Sequence, residues 1–226
     1  MDNRRYDLLL IDFDGTLCAT RPAILHCLTA ALAGATATPP AEAAVSGTIE
    51  RGIGLEETFR QLAPEAIARE PDLLGRLMKS YRAMYDVEAE RLTTLFPLWH
   101  RTLERVAAEG VQTAVVSNKG IAAVRTSLDR FGLTPFVALA IGDTAGVPKK
   151  PDPASFEQLV LPRFPSIHRH RTLVIGDTDA DILFARHIGG HSCWARYGYG
   201  RAEICEALAP SYAIDGPEEI EAIVCS

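Results

Sequence analysis

Residues 6–17 read YDLLLIDFDGTL, an apolar run that ends abruptly in acids and a glycine. The segment from Leu8 to Ile11 contains no polar residue. Strands of this kind are typical of parallel sheets that helices cover on both faces. We therefore predict a buried strand whose carboxyl end carries Asp12 and Asp14.

The second half of the chain alternates predicted strands with predicted helices. The strands are expected at 111–116, 137–141, 172–175, 192–195 and 212–214. The helices are expected at 97–109, 120–131, 153–161, 179–188 and 217–224. Glycines follow several of these helices, which is a common way for a helix to end. This alternation predicts right-handed crossovers and an α/β fold with a doubly wound parallel sheet.

The stretch between the first strand and this alternating part has a different pattern. Apolar residues recur at helical spacing in 22–32, 55–62 and 71–87, and no clear strand is visible. We predict an all-helical insertion at residues 18–89. The sheet domain would then consist of residues 1–17 and 90–226.

Composition narrows the class of protein. The 226 residues have a formal net charge of −6 and a pI of about 5.5, which disfavours bulk binding to nucleic acid or anionic lipid. No apolar run approaches the roughly 20 residues of a membrane span. The 5 cysteines are odd in number and form no CxxC pair, which favours a reducing compartment. We expect a cytoplasmic monomer or homodimer with no nucleic-acid partner and no membrane association.

Polar residues collect where the predicted strands end. They are Asp12, Asp14, Ser117, Asn118, Asp143, Lys150, Asp177 and Asp181. The carboxyl ends of the strands in a doubly wound sheet meet at one edge, where ligands bind. Clustered carboxylates are the ligands that Mg²⁺ prefers, and hydroxyl, amide and ammonium groups beside them suit phosphate oxygens. This pattern predicts phosphoryl-transfer chemistry.

Four segments carry a resemblance to a known family. They are DFDGTL at 12–17, SN at 117–118, KPDP at 150–153 and GDTDAD at 176–181. In this order they resemble the signature motifs of the haloacid dehalogenase superfamily, and that fold would account for essentially the whole chain. The helical insertion resembles the C1 cap of phosphoglycolate phosphatases and their relatives.

The resemblance implies catalytic roles for the first two motifs. Asp12 would be the nucleophile that forms an aspartyl-phosphate, and Asp14 the general acid and later the general base. Thr16 would orient the acid–base residue and its loop. Ser117, with Asn118 beside it, would bind the transferring phosphoryl group.

The resemblance also implies a metal site. Mg²⁺ would be held by Asp12, by the backbone carbonyl of Asp14 and by Asp177. Asp181 would be an outer or conditional ligand. Lys150 would neutralise Asp12 and the phosphoryl charge.

Asp14 bears on the reaction class. Dehalogenases of the superfamily lack an acid at this position, because a halide leaves without a proton, so Asp14 favours a phosphatase or phosphomutase. We expect a small soluble phosphate ester as substrate, with phosphoglycolate as the best single candidate, and we expect Arg51 and Gly54 of the cap to face it. A sugar phosphomutase or a non-catalytic binding protein on the same fold are the alternatives.

Overall fold

The computed structural model describes residues 4–33, 35–36 and 39–225. Residues 1–3, 34, 37, 38 and 226 of the predicted domains lie outside the described residues. The strands are β1 (Leu8–Ile11), β2 (Cys18–Ala19), β3 (Thr94–Leu95), β4 (Gln112–Gly120), β5 (Leu139–Asp143), β6 (Thr172–Gly176), β7 (His191–Ala195) and β8 (Tyr212–Ile214).

Helices cover the sheet and form the insertion. They are α1 (Arg21–Leu32), α2 (Glu42–Glu50), α3 (Leu55–Leu62), α4 (Pro64–Arg69), α5 (Leu73–Leu92), α6 (Trp99–Ala108), α7 (Ile121–Arg130), α8 (Leu161–Arg163), α9 (Asp179–Ile188), α10 (Ala202–Ala207) and α11 (Glu219–Val224). A π-helical segment at Phe156–Val160 precedes α8 where a regular helix was expected. None of the described helices is both long and apolar enough to cross a membrane.

The main sheet is parallel and has β1 at its centre. In the described residues it contains six strands in the order β5-β4-β1-β6-β7-β8. Leu8 pairs with Gln112 of β4 on one side and with Thr172 of β6 on the other. The prediction of a doubly wound α/β sheet is confirmed.

The apolar run of β1 supplies side chains to both faces of the sheet. Leu9 and Ile11 pack into one core cluster, and Leu8 and Leu10 pack into the opposite one. All four are 0–1% exposed. Truncating one such side chain, for example Leu10→Ala, is expected to cost about 2–5 kcal/mol of stability. The same packing fixes β1, and therefore Asp12, at the middle of the sheet.

The insertion forms its own layer between β2 and β3, which pair antiparallel where the chain leaves and rejoins the sheet domain. Helices α1 and α5 pack together, and a cluster around Phe59 and Tyr81 fills the interior of the insertion. The exact boundaries of the two domains remain a prediction.

Three parts of this layer differ from expectation. Cys18 and Ala19 form a short strand, and α2 and α4 were not predicted. Helix α2 contains Ser46, Gly47 and Thr48, which are poor helix formers, so its propensity is weak. Burial of Val45 and Ile49 instead stabilises it.

Candidate active site

A cluster of buried carboxylates lies at the carboxyl edge of the sheet. Asp12 follows β1, Asp177 follows β6, and Asp181 lies in the first turn of α9. One oxygen from each lies within 4.8 Å of the others. The side chains come from distant parts of the chain, and the parallel strands bring them together as predicted.

Lys150 is the ammonium group of this cluster. Its Nζ lies 2.6 Å from Asp12 Oδ1 and 2.6 Å from Asp181 Oδ1. Burial alone would lower the pKa of Lys150, but the two carboxylates outweigh it and raise that pKa. Lys150 is therefore positively charged and forms ion pairs with both Asp12 and Asp181.

The carboxylates outnumber the ammonium, and this imbalance has an electrostatic consequence. Burial raises the pKa of Asp12 to about 7, although Lys150 counteracts the effect. Burial and the neighbouring charges of Asp12 and Asp181 raise the pKa of Asp177 well above its usual range. A divalent cation bound by such an all-oxygen donor set would neutralise the excess charge, so the residues fit a divalent metal site.

Asp177 is held in one orientation by the first motif and by the loop after β7. Thr16 Oγ1 donates to Asp177 Oδ1 at 3.1 Å, and the backbone N–H of Tyr199 donates to Oδ2 at 2.7 Å. Gly15 has a φ of +81°, and a Cβ there would lie 2.3 Å from Asp177 Oδ2. Only glycine therefore allows the first motif to approach this close to the acid.

Asp14 faces a lysine that the sequence analysis did not single out. Lys119 Nζ lies 3.1 and 3.3 Å from the two carboxylate oxygens of Asp14. It also lies 4.0 Å from the centre of the Tyr85 ring, which belongs to α5 of the insertion. Burial would lower the pKa of Lys119, but Asp14, together with Tyr85 and Tyr81, outweighs this effect and raises that pKa. The available signal was the position of Lys119 directly after Ser117 and Asn118.

Ser117 and Asn118 lie near the end of β4 and have different surroundings. Ser117 is 6% exposed, lines the cavity and accepts a hydrogen bond from the backbone N–H of Lys119 at 3.3 Å. Asn118 accepts from the backbone N–H of Lys150 at 2.9 Å and donates to the backbone oxygen of Gly52 at 3.1 Å. Asn118 thus connects two motif loops with the insertion.

A cavity of about 410 Å³ separates the sheet edge from the insertion. The sheet domain contributes polar side chains to it: Asp12, Asp14, Ser117, Asn118, Lys119, Asp143, Lys150, Thr178, Asp181 and Tyr199. The insertion contributes mainly apolar and aromatic ones: Ile24, Leu28, Ile49, Ile53, Leu55, Tyr81 and Tyr85. The insertion therefore covers the acidic cluster with a largely apolar surface.

Arg51 and Gly54, which we expected to face the substrate, are not among the described residues that line this cavity. Arg51 is exposed, and its guanidinium donates to the backbone oxygen of Gly47 at 3.0 Å and to Gln61 Oε1 at 2.5 Å. Gly54 lies against a lysine of the sheet domain, where a Cβ would be 2.5 Å from Lys149 Nζ. Gly52 lines the cavity instead.

Tyr199 is a second residue that the sequence analysis missed. Its hydroxyl accepts hydrogen bonds from the backbone N–H groups of Thr20 at 2.6 Å and Arg21 at 2.9 Å, where α1 begins. Its own backbone N–H binds Asp177, so one residue contacts both the acidic cluster and the start of the insertion. The flanking glycines, Gly198 and Gly200, were the available signal, because both approach Asp177 too closely for a side chain.

Comparison with known proteins gives the class of this site. The chain belongs to the haloacid dehalogenase-like hydrolase family, whose model matches residues 9–195. It is an enzyme of the phosphatase class within that superfamily, and it resembles the phosphoglycolate phosphatases.

The similarity extends over most of the chain. This chain is 30% identical over 209 residues to a phosphoglycolate phosphatase of Pectobacterium atrosepticum. The match covers 92% of this chain and 87% of that protein. It is 28% identical to one of Cereibacter sphaeroides, with 88% of each chain covered. The crystal structure of a predicted phosphoglycolate phosphatase from Haemophilus somnus 129pt has the same fold. That structure superposes with a TM-score of 0.85 at 24% identity, over 97% of this chain and 98% of the other.

Proposed function

We propose that the protein is a Mg²⁺-dependent phosphomonoester hydrolase that acts through an aspartyl-phosphate at Asp12. Its substrate would be a small phosphate ester, with phosphoglycolate as the first candidate. One observation carries the proposal: Asp12 lines a covered cavity with its carboxylate against Lys150, while Asp14 lines the same cavity two residues further on. A nucleophile and a proton donor are both needed to break a phosphate ester.

In the first step, an oxygen of Asp12 attacks phosphorus as the bond from phosphorus to the ester oxygen breaks. Asp14 gives its proton to that oxygen, and the alcohol leaves. In the second step, Asp14 takes a proton from water, the water oxygen attacks phosphorus, and the bond to Asp12 breaks. Inorganic phosphate is released, and both acids return to their starting states.

The surrounding groups hold this chemistry in place. Lys150 offsets part of the effect of burial on Asp12 and so favours its charged form, and Ser117 offers a hydroxyl to the phosphoryl oxygens. Asp12, Asp177 and the backbone carbonyl of Asp14 would hold Mg²⁺, which supplies neutralisation of the phosphoryl charge. The apolar side of the insertion excludes water from the cavity and so strengthens these interactions.

The substrate assignment rests on the relatives. Proteins named phosphoglycolate phosphatase are 25–30% identical to this chain over most of its length. The described cap residues that line the cavity supply a single cation, Arg82, which is exposed. A phosphomutase must hold a second phosphate while the ester turns over, so this lining favours the hydrolase over the mutase.

The test is phosphate release from a panel of esters in the presence and absence of Mg²⁺. The panel contains phosphoglycolate, hexose phosphates, nucleoside monophosphates and an aryl phosphate. We expect one ester to be preferred, and we expect Asp12→Asn or a chelator to reduce turnover by at least about 10⁴-fold. The proposal would be contradicted if neither wild type nor Asp12→Asn released phosphate from any ester. If the product were an isomerised hexose phosphate, the phosphomutase would replace the hydrolase as the proposed function.

A further inference from the structure

We propose that Lys119 is a specificity-determining residue that binds a carboxylate on the leaving-group side of the substrate. The substrate class would be phosphomonoesters whose alcohol carries a carboxylate close to the ester oxygen. This inference deepens the proposed function and rests on it.

The position of Lys119 relative to Asp14 carries the argument. The ester oxygen of a bound substrate lies within hydrogen-bond distance, roughly 3 Å, of the acid that protonates it. Lys119 Nζ lies 3.1 Å from the same carboxyl group, on the wall of the cavity. In phosphoglycolate a single carbon joins the ester oxygen to the carboxylate. Lys119 is therefore within reach of a carboxylate on the leaving group.

The ammonium of Lys119 is held firmly for this purpose. Its side chain is 8% exposed, and its Nζ lies over the Tyr85 ring at 4.0 Å and over the Phe13 ring at 6.0 Å. Phe13 belongs to the first motif and Tyr85 to the insertion, so the sheet domain and the insertion fix the ammonium together. A charge held among aromatic rings and shielded from water attracts an anion more strongly than an exposed lysine does.

Lys119 pairs with Asp14, the acid on the leaving-group side, whereas the other lysines near the cavity pair with other acids. Lys150 is shared by Asp12 and Asp181, and Lys149 pairs with Asp143 at 3.2 Å. Arg51 bonds to Gln61 outside the cavity. Among the described residues that line the cavity, this leaves Arg82 as the alternative to Lys119, and Arg82 is exposed.

The experiment compares two esters of similar size that differ in charge. Phosphoglycolate carries the carboxylate, and 2-hydroxyethyl phosphate carries a neutral hydroxyl in its place. We expect Lys119→Met to raise KM for phosphoglycolate and to lower the ratio of the two kcat/KM values about 10- to 100-fold. Methionine keeps much of the side-chain length and its contact with the Tyr85 ring, so the change removes chiefly the charge.

Two matched variants serve as comparisons. Lys149→Met makes the same change at a lysine outside the lining of the cavity and should leave the ratio of kcat/KM values unchanged. Arg82→Met removes the alternative cation and should change the ratio less than threefold. If Lys119→Met does not fold, as judged by thermal unfolding, Lys119→Gln repeats the test with a neutral donor.

Two results would overturn the inference. In one, Lys119→Met lowers kcat/KM for both esters equally, which would mean that Lys119 acts only through Asp14. In the other, the selectivity disappears in Arg82→Met and persists in Lys119→Met. Failure of the proposed function looks different, because folded wild-type protein would then release phosphate from no ester of the panel. Wild-type turnover of other esters without a preference for phosphoglycolate over 2-hydroxyethyl phosphate would overturn the inference alone.

Discussion

The two walls of the cavity are built in opposite ways. On the sheet side, buried charges such as Asp12, Lys150 and Asp181 contact one another across distant segments of the chain. On the insertion side, the lining is largely apolar, and Arg51 bonds to its own layer instead. Charged groups on the sheet side are fixed by strand ends, whereas the insertion mainly supplies shape and cover.

This difference assigns the catalytic chemistry to the sheet side and the selection of the substrate's shape mainly to the insertion. Buried ion pairs hold their geometry only when every partner is present, so removing one charged partner on the sheet side should be strongly destabilising. Apolar lining residues can be exchanged with smaller consequences as long as the volume is kept. Variants on the two walls should therefore differ in the size of their effects.

The largest effect after loss of Asp12 is expected for Lys150→Met. It leaves Asp12 and Asp181 without their shared ammonium, and breaking such a buried pair costs about 3–5 kcal/mol of stability. Turnover should fall about 10³-fold, because this ammonium also neutralises charge at the reacting group. Chemical unfolding and phosphate release measure the two effects. Lys149→Met, which loses a more exposed pair, should cost less than about 1 kcal/mol.

The connection between the walls is tested by Tyr199→Phe. This change leaves the backbone N–H groups of Thr20 and Arg21 without their acceptor, at a cost of about 1–3 kcal/mol. We expect turnover to drop about tenfold, because the start of the insertion loses its attachment to the site. In the control Tyr197→Phe, the Thr16 oxygen keeps its bond from Trp99, so the loss should be smaller. Equal effects of the two variants would mean that Tyr199 has no special role.

The charge imbalance on the sheet side predicts a pH dependence of stability. Between the usual carboxyl pKa of about 4 and the pKa of about 7 at Asp12, the folded protein binds more protons than the unfolded chain. In a chelator, this group's contribution to stability therefore falls as pH rises through that window. The difference in Tm between wild type and Asp12→Asn should change by a few °C from pH 5 to pH 8, with wild type losing stability. MgCl₂ should raise the Tm of wild type more at pH 8 than at pH 5, and an effect confined to pH 5 would contradict this account.

The smallest effect is expected on the insertion side, for Arg51→Ala. Its guanidinium is exposed and bonds outside the cavity, so kcat/KM for phosphoglycolate should change less than twofold. A loss above tenfold would show that Arg51 reaches the substrate during turnover.

Much of the fold could be predicted because β1 and α9 carry strong local signals. The bounds of α9 and β8 agree with the prediction, and Gly189 ends α9 in the left-handed conformation that glycine favours. Helix α2 could not be predicted, because burial against the insertion, and not propensity, stabilises it.

Some residues of the candidate site could likewise be predicted from the sequence, and others could not. Asp12, Ser117, Lys150 and Asp177 lie at or shortly after the carboxyl ends of strands, so a parallel sheet must bring them together. The orientation of Arg51 could not be predicted, because a charged residue between glycines can point toward the cavity or away from it. Lys119 and Tyr199 were missed because their roles depend on contacts with the insertion, which the sequence does not reveal.

The most direct test of the central claim is to trap the intermediate on Asp12. The enzyme is mixed with phosphoglycolate and Mg²⁺, quenched during turnover and treated with borohydride, which reduces an aspartyl-phosphate to homoserine. Peptide mass spectrometry should then find homoserine at position 12 in wild type and none in Asp12→Asn. Rapid turnover with an unmodified Asp12, or modification at another carboxylate, would contradict the assignment of Asp12 as the nucleophile.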